Sequence, residues 1–99
     1  MTIPVVTTDS LEGYKTSGVG KLLSTTVAAN MKDYYASDSE KIENAKEQAI
    51  ESLRSKAAEQ GLNAIVGLKI ELFRADDGRF FSYLVTAYAT GVKVVAREG

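Results

Sequence analysis

Between Ser37 and Gly61, apolar residues return at helical spacing: Ile42, Ala45, Ala49, Ile50, Leu53 and Ala57. At 100° per residue they fall within about a 140° arc, the width expected of a helix with one buried face. Ser37 and Glu40 have the spacing of a capping box, in which the serine oxygen accepts from the glutamate backbone N–H. Gly61 supplies the left-handed residue that ends many helices. Several residues of the apolar face are alanines, so the helix must lie close to whatever it covers.

The flanking segments read as that cover. Residues 2–8 are rich in β-branched side chains and read as a short strand, with Pro4 suited to an edge or a strand start. Asp9-Ser10 offers a turn. Residues 13–29, rich in Thr, Val, Leu and Ser, form a longer strand that Gly18 and Gly20 bend or bulge. Asn30 and Asp33 suggest a helical turn over 31–36. After the helix, residues 63–73 alternate, with Val66, Leu68, Ile70 and Leu72 on one face. Asp76-Asp77-Gly78 is a turn signal, and residues 80–96 resume as a long strand, which makes a hairpin. The expected fold is α+β, one domain spanning residues 1–99, with an antiparallel sheet on one long helix and a short extra N-terminal strand.

Composition narrows the function. Twelve basic residues face thirteen acidic ones, net −1, and a nucleic-acid binder would need a basic face. The chain has neither cysteine nor histidine, so thiolate and imidazole ligands, the usual source of affinity for zinc, copper or cadmium, are lacking. No soft-metal site and no cofactor are expected. No apolar stretch approaches the ~18 residues of a membrane span, and the N-terminus lacks the pattern of a signal peptide. The expectation is a cytoplasmic protein that is not an enzyme.

The last strand is apolar on both faces. One carries Phe81, Tyr83, Val85, Ala87, Ala89 and Gly91, small toward its middle and suited to a helix. The other carries Phe80, Leu84, Tyr88, Val92 and Val94. One helix covers one face of a sheet, so the second needs another cover, either the sheet itself or another subunit. Phe80, Leu84, Tyr88 and Val92 are therefore candidate residues of a homo-oligomer interface. Scattered exposed apolar residues on a sheet are the plainer alternative.

Thr7, Thr8, Asp9, Ser10 and Glu12 form the densest group of hydroxyls and carboxylates. Asp9 and Glu12 are candidate oxygen ligands for a hard cation, though a turn satisfying its own backbone is the preferred reading. Ser10 has no histidine to activate it as a nucleophile. Asp76 and Asp77 fit ordinary turn chemistry. Tyr34, Tyr35, Tyr83 and Tyr88 are better suited to packing than to stacking on a ligand.

Several segments resemble the YbjQ-like family of small bacterial and archaeal proteins, labelled heavy-metal-binding. Thr7-Thr8-Asp9-Ser10-Leu11-Glu12-Gly13-Tyr14 is similar to its opening motif. Residues 61–68, Gly-Leu-Asn-Ala-Ile-Val-Gly-Leu, resemble its G-A-N-A-V-V-G-V segment. Residues 89–94, Ala-Thr-Gly-Val-Lys-Val, resemble its closing strand, and Ala29-Asn30 with Asp33–Ser37 its A-N … D-F-F-A-S run. The resemblance implies a dodecin-like β-α-β-β subunit assembled into ring-shaped homopentamers, with no established activity. The chain departs from the family where a Gly-Gly-Arg-Ser loop precedes the helix; here Ser37-Asp38-Ser39 leads straight into it. No flavin is carried over from the dodecin likeness, because the chain has no tryptophan to stack on one.

Overall fold

The computed structural model describes residues 2–29, 37–76, 78 and 81–97. Strand β1 spans Tyr14–Ala28, helix α1 Asp38–Glu59, strand β2 Ala64–Asp76 and strand β3 Phe81–Ala96. They form one antiparallel sheet in the order β1-β3-β2 with α1 on one face. The expected turn over 31–36, together with Tyr34, Tyr35, Asp77 and Phe80, lies outside the described residues.

The helix begins and ends as its sequence dictates. The Ser37 hydroxyl accepts from the Glu40 N–H at 3.2 Å. At the other end the N–H groups of Gly61 and Leu62 donate to Ala58 and Ala57, at 3.0 and 2.9 Å. That is a Schellman closure, with Gly61 at φ +73 and Leu62 folded back onto the core. Ala45, Ala49, Leu53 and Ala57 are buried against Leu23, Ile65, Val85, Ala87 and Ala89. Small residues on both sides bring helix and sheet close together. At Gly91 a methyl group would lie 2.6 Å from Leu62 Cδ1.

Three expectations need correction. Residues 2–8 do not form a strand; Val5 makes one isolated parallel bridge with Ile65. Backbone bonds from Val6 to Ile65, Ile65 to Pro4, Gly67 to Thr8 and Leu68 to Val6 tie the segment to the start of β2. A bulge there, between Val66 and Lys69, breaks the regular spacing that a longer ladder needs. Gly67, at φ +64, provides the backbone conformation for it.

The same bulge overturns the simple alternation expected of β2. Val66 lies on the outer face, whereas Leu68 and Ile70 pack toward the helix. The third correction concerns cover for the outer face. Val6 and Leu11 lie over Ala64, Val66, Val92 and Val94, closing a second small core. The chain therefore covers one end of that face itself.

The subunit is long: 57 × 23 × 22 Å, with a radius of gyration of 15.9 Å against about 13 Å for a typical compact domain of this length. The cause is a length mismatch. A 16-residue strand reaches roughly 53 Å, and a 22-residue helix roughly 33 Å. Past Val92, β3 pairs only with β1, over Ser17–Tyr14 and Lys93–Ala96. A two-stranded ribbon thus projects beyond the C-terminal end of α1. The Asn63 amide extends its support as far as Val94, accepting from the Val94 N–H at 2.7 Å and donating to the Val94 carbonyl at 3.1 Å.

Candidate functional site

Two regions gather polar side chains. The first is the turn before β1. The Thr8 hydroxyl donates to the Ser10 carbonyl at 2.7 Å, and the Tyr14 N–H to the Leu11 carbonyl at 3.1 Å, so residues 8–14 fold into a tight loop. A shallow hollow of about 490 Å3 opens beside it, lined by Val6, Thr8, Ser10, Leu11, Glu12, Gly13 and Arg97. Arg97 is anchored by its own N–H to the Gly13 carbonyl and by its Nε to the Tyr14 carbonyl, at 3.0 and 3.2 Å.

The Thr8, Ser10 and Glu12 of the sequence cluster do meet there. Asp9 is not among the walls; its carboxylate lies on the Gly67 side, 3.9 Å from where a methyl group on Gly67 would sit. Arg97 escaped the sequence reading because it is 85 residues from Glu12. Only the pairing of Tyr14 with Ala96 brings it to this turn.

The second region is the uncovered stretch of the outer sheet face. Register places Leu22 opposite Thr90, Ser24 opposite Tyr88, Thr26 opposite Thr86, and Ala28 opposite Leu84. On the other side Lys69 faces Tyr88, Glu71 faces Thr86, and Phe73 faces Leu84. Leu84 and Tyr88, both interface candidates, are half-buried here. Val92, the third described candidate, is buried beneath the chain's own Val6 and Leu11. Leu22 is 81 % exposed and Phe73 49 %. Polar groups in the middle satisfy one another: the Thr26 and Thr86 hydroxyls are 3.0 Å apart, and the Tyr88 hydroxyl donates to Glu71 Oε1 at 3.1 Å.

That last bond holds the Tyr88 phenol above its ordinary range; partial desolvation and the Glu71 charge act in the same direction. Because the folded state holds this proton more tightly, its contribution to stability is complete below about pH 10, the unfolded value. It is lost as pH rises through the raised folded value. In urea titrations from pH 7 to 11.5, the midpoint difference between wild type and Tyr88→Phe should stay constant to about pH 9.5 and shrink above it. A difference independent of pH would break the link to Glu71.

These elements define a class: a β-α-β-β subunit with a three-stranded antiparallel sheet and one helix. The model of the YbjQ-like family, described as "Putative heavy-metal-binding", matches residues 17–95, and the chain belongs to this family. The crystal structure of a protein of unknown function from Pediococcus pentosaceus ATCC 25745, a member of the DUF74 family, is similar in fold. Its TM-score is 0.65 at 17 % identity, over 92 % of this chain and 96 % of that one. No curated protein matches.

The residues present do not fit a thiophilic heavy metal. The chain has no cysteine or histidine, and among the described residues no three acidic side chains come together. Nor is any described helix long and apolar enough to cross a membrane.

Proposed function

We propose that the protein is a non-enzymatic homo-oligomer whose structural or ligand-binding role depends on assembly. The observation that carries this reading is the uncovered outer face, where Leu22, Phe73, Leu84 and Tyr88 line the sheet opposite α1. Among the described residues, the helix covers the other face and the N-terminal segment one end of this one. Burying the remainder on a second copy gains roughly 25 cal/mol per Å2 of apolar surface. A domain of this size gains proportionately more from such burial than a large one. The family resemblance favours a count of five. Native mass spectrometry at micromolar concentration should then show a species of about 54 kDa, five times 10.7 kDa. A monodisperse monomer would defeat the reading, and a dimer or hexamer only the count.

The family's description favours a second reading, metal binding. The ligands available for it are oxygens, from Glu12, Thr8 and Ser10 in the hollow and from Asp9 nearby, and such a set suits calcium or magnesium. Calorimetric titration should give no sub-micromolar site for zinc, copper or cadmium. A stoichiometric site of that strength would overturn the oxygen-only assignment. Heat evolved with calcium in the wild type and lost in Glu12→Gln would support the second reading.

A further inference from the structure

From two opposite charges that share the hollow beside the turn before β1 without meeting, we infer that this hollow binds a small zwitterion, an aliphatic amino acid. The site lies within one subunit and is independent of the assembly proposed above. Glu12 and Arg97 both line the hollow, yet no ion pair joins them. Arg97 is held elsewhere: its N–H donates to the Gly13 carbonyl and its Nε to the Tyr14 carbonyl. An arginine free to move would swing onto the nearest carboxylate. This one is tied to the backbone at the start of β1, and the two charges stay apart.

Each charge therefore keeps capacity for a ligand. Among the described residues, the two Nη groups of Arg97 and the Glu12 carboxylate have no partner. The Ser10 hydroxyl is uncommitted as well, and the Thr8 hydroxyl, which donates to the Ser10 carbonyl, can still accept. Nor do the N–H groups of Ser10, Leu11, Glu12 and Gly13 donate to any described acceptor. Gly13, at φ +83 with open space where a side chain would start, leaves that stretch of backbone accessible. A guanidinium, a hydroxyl and free backbone N–H groups suit a carboxylate. Glu12 suits an ammonium.

The remaining wall is apolar. Val6 and Leu11 pack over Ala64, Val66, Val92 and Val94 and also line the hollow. An aliphatic side chain laid against them is favoured by leaving water. The hollow's volume, about 490 Å3, falls within the roughly 300–1,000 Å3 of small-molecule sites.

Simpler ligands leave part of this lining unanswered. Calcium takes about six to eight oxygens, and here it would find a single carboxylate and the repulsion of a tethered guanidinium. A plain anion would meet Glu12, and a plain amine would meet Arg97. A zwitterion satisfies both charges at once, so each half of the contact can be removed on the ligand as well as on the protein.

Two-dimensional amide NMR, run with EDTA present and L-leucine as the probe, tests this. Leucine at millimolar concentration should shift the amide signals of Ser10, Glu12, Gly13 and Arg97, and the shifts should saturate. Isocaproate, which lacks the ammonium, and isoamylamine, which lacks the carboxylate, should each bind at least about tenfold more weakly. These comparisons use the wild-type chain and so do not depend on the folding of any variant. Glu12→Gln should weaken leucine about tenfold and leave isocaproate unaffected, whereas Arg97→Gln should weaken both. Glu98, next to Arg97 in the sequence and outside the described residues, is the control. Glu98→Gln should leave leucine binding in place, and a loss there would transfer the acidic role from Glu12 and overturn the assignment. No leucine-dependent shifts, equal binding of leucine and isocaproate, or indifference to Glu12→Gln would each overturn it too. The native mass of Glu12→Gln should equal that of the wild type, so the site and the homo-oligomer fail separately.

Discussion

Leu53→Ala should lower the melting temperature by roughly 10–25 °C, the largest thermal effect expected of any single truncation in the helix. Leu53 is fully buried, and the other buried residues of α1 are Ala45, Ala49 and Ala57. The helix thus reaches into its core with one large side chain set among three small ones. The alanines bring α1 close to the sheet, and the helix itself has no other large buried side chain to fill the space Leu53 vacates. Leucine-to-alanine changes at such sites cost about 3 kcal/mol and up to 5, against total stabilities of roughly 5–15 kcal/mol. Ile50→Ala, at a half-buried position on the same helix, should cost distinctly less. Calorimetry of both variants at one protein concentration checks this, the fixed concentration being essential for an associating chain. Equal losses would mean that helix–sheet packing is looser than the buried surface indicates.

What could be read from the sequence was local in origin. The Ser37–Glu40 cap, the apolar line from Ala45 to Ala57 and the Gly61 closure each depend on residues within one or two helical turns. The Asp76-x-Gly78 turn is local as well: the Asp76 carboxylate accepts from the Gly78 N–H at 2.8 Å. The helix-facing row Val85, Ala87 and Ala89 followed from simple alternation. What escaped depended on encounters far along the chain. Gly67 carries no mark in the sequence that distinguishes a bulge from a plain strand position, yet it reverses the facing of Val66 relative to Leu68. The cover that Val6 and Leu11 provide arises because residues 2–8 lie beside β2, nearly sixty residues away. In the candidate hollow the hydroxyls and Glu12 were visible as a cluster, whereas Arg97 entered only through strand register. The same is true of Tyr88 and Glu71, whose hydrogen bond crosses diagonally between β3 and β2.

Tyr88→Glu should dissociate the assembly while leaving the subunit folded. Tyr88 lies half-buried near the middle of the outer face, on the central strand of the sheet, with its hydroxyl bonded to Glu71. A carboxylate at this position would stand directly opposite Lys69 and diagonal to Glu71, replacing the donor–acceptor pair with Glu71 by two like charges beside one lysine. In an isolated subunit both would be hydrated, and like charges in neighbouring cross-strand positions cost less than about 1 kcal/mol. Beneath a second copy the water would be gone, and the desolvation of a carboxylate in an apolar interface costs several kcal/mol even with Lys69 opposite it. Since 1.4 kcal/mol is a tenfold change in affinity, association should weaken by at least a hundredfold. Tyr88→Phe removes the hydroxyl and keeps the ring, so it should preserve the assembly. Sedimentation velocity of both variants at micromolar concentration decides. Dissociation by Glu with retention by Phe places position 88 under a neighbouring subunit. An undisturbed oligomer carrying Glu at position 88 would mean that this face stays open to water, and that the assembly is held elsewhere.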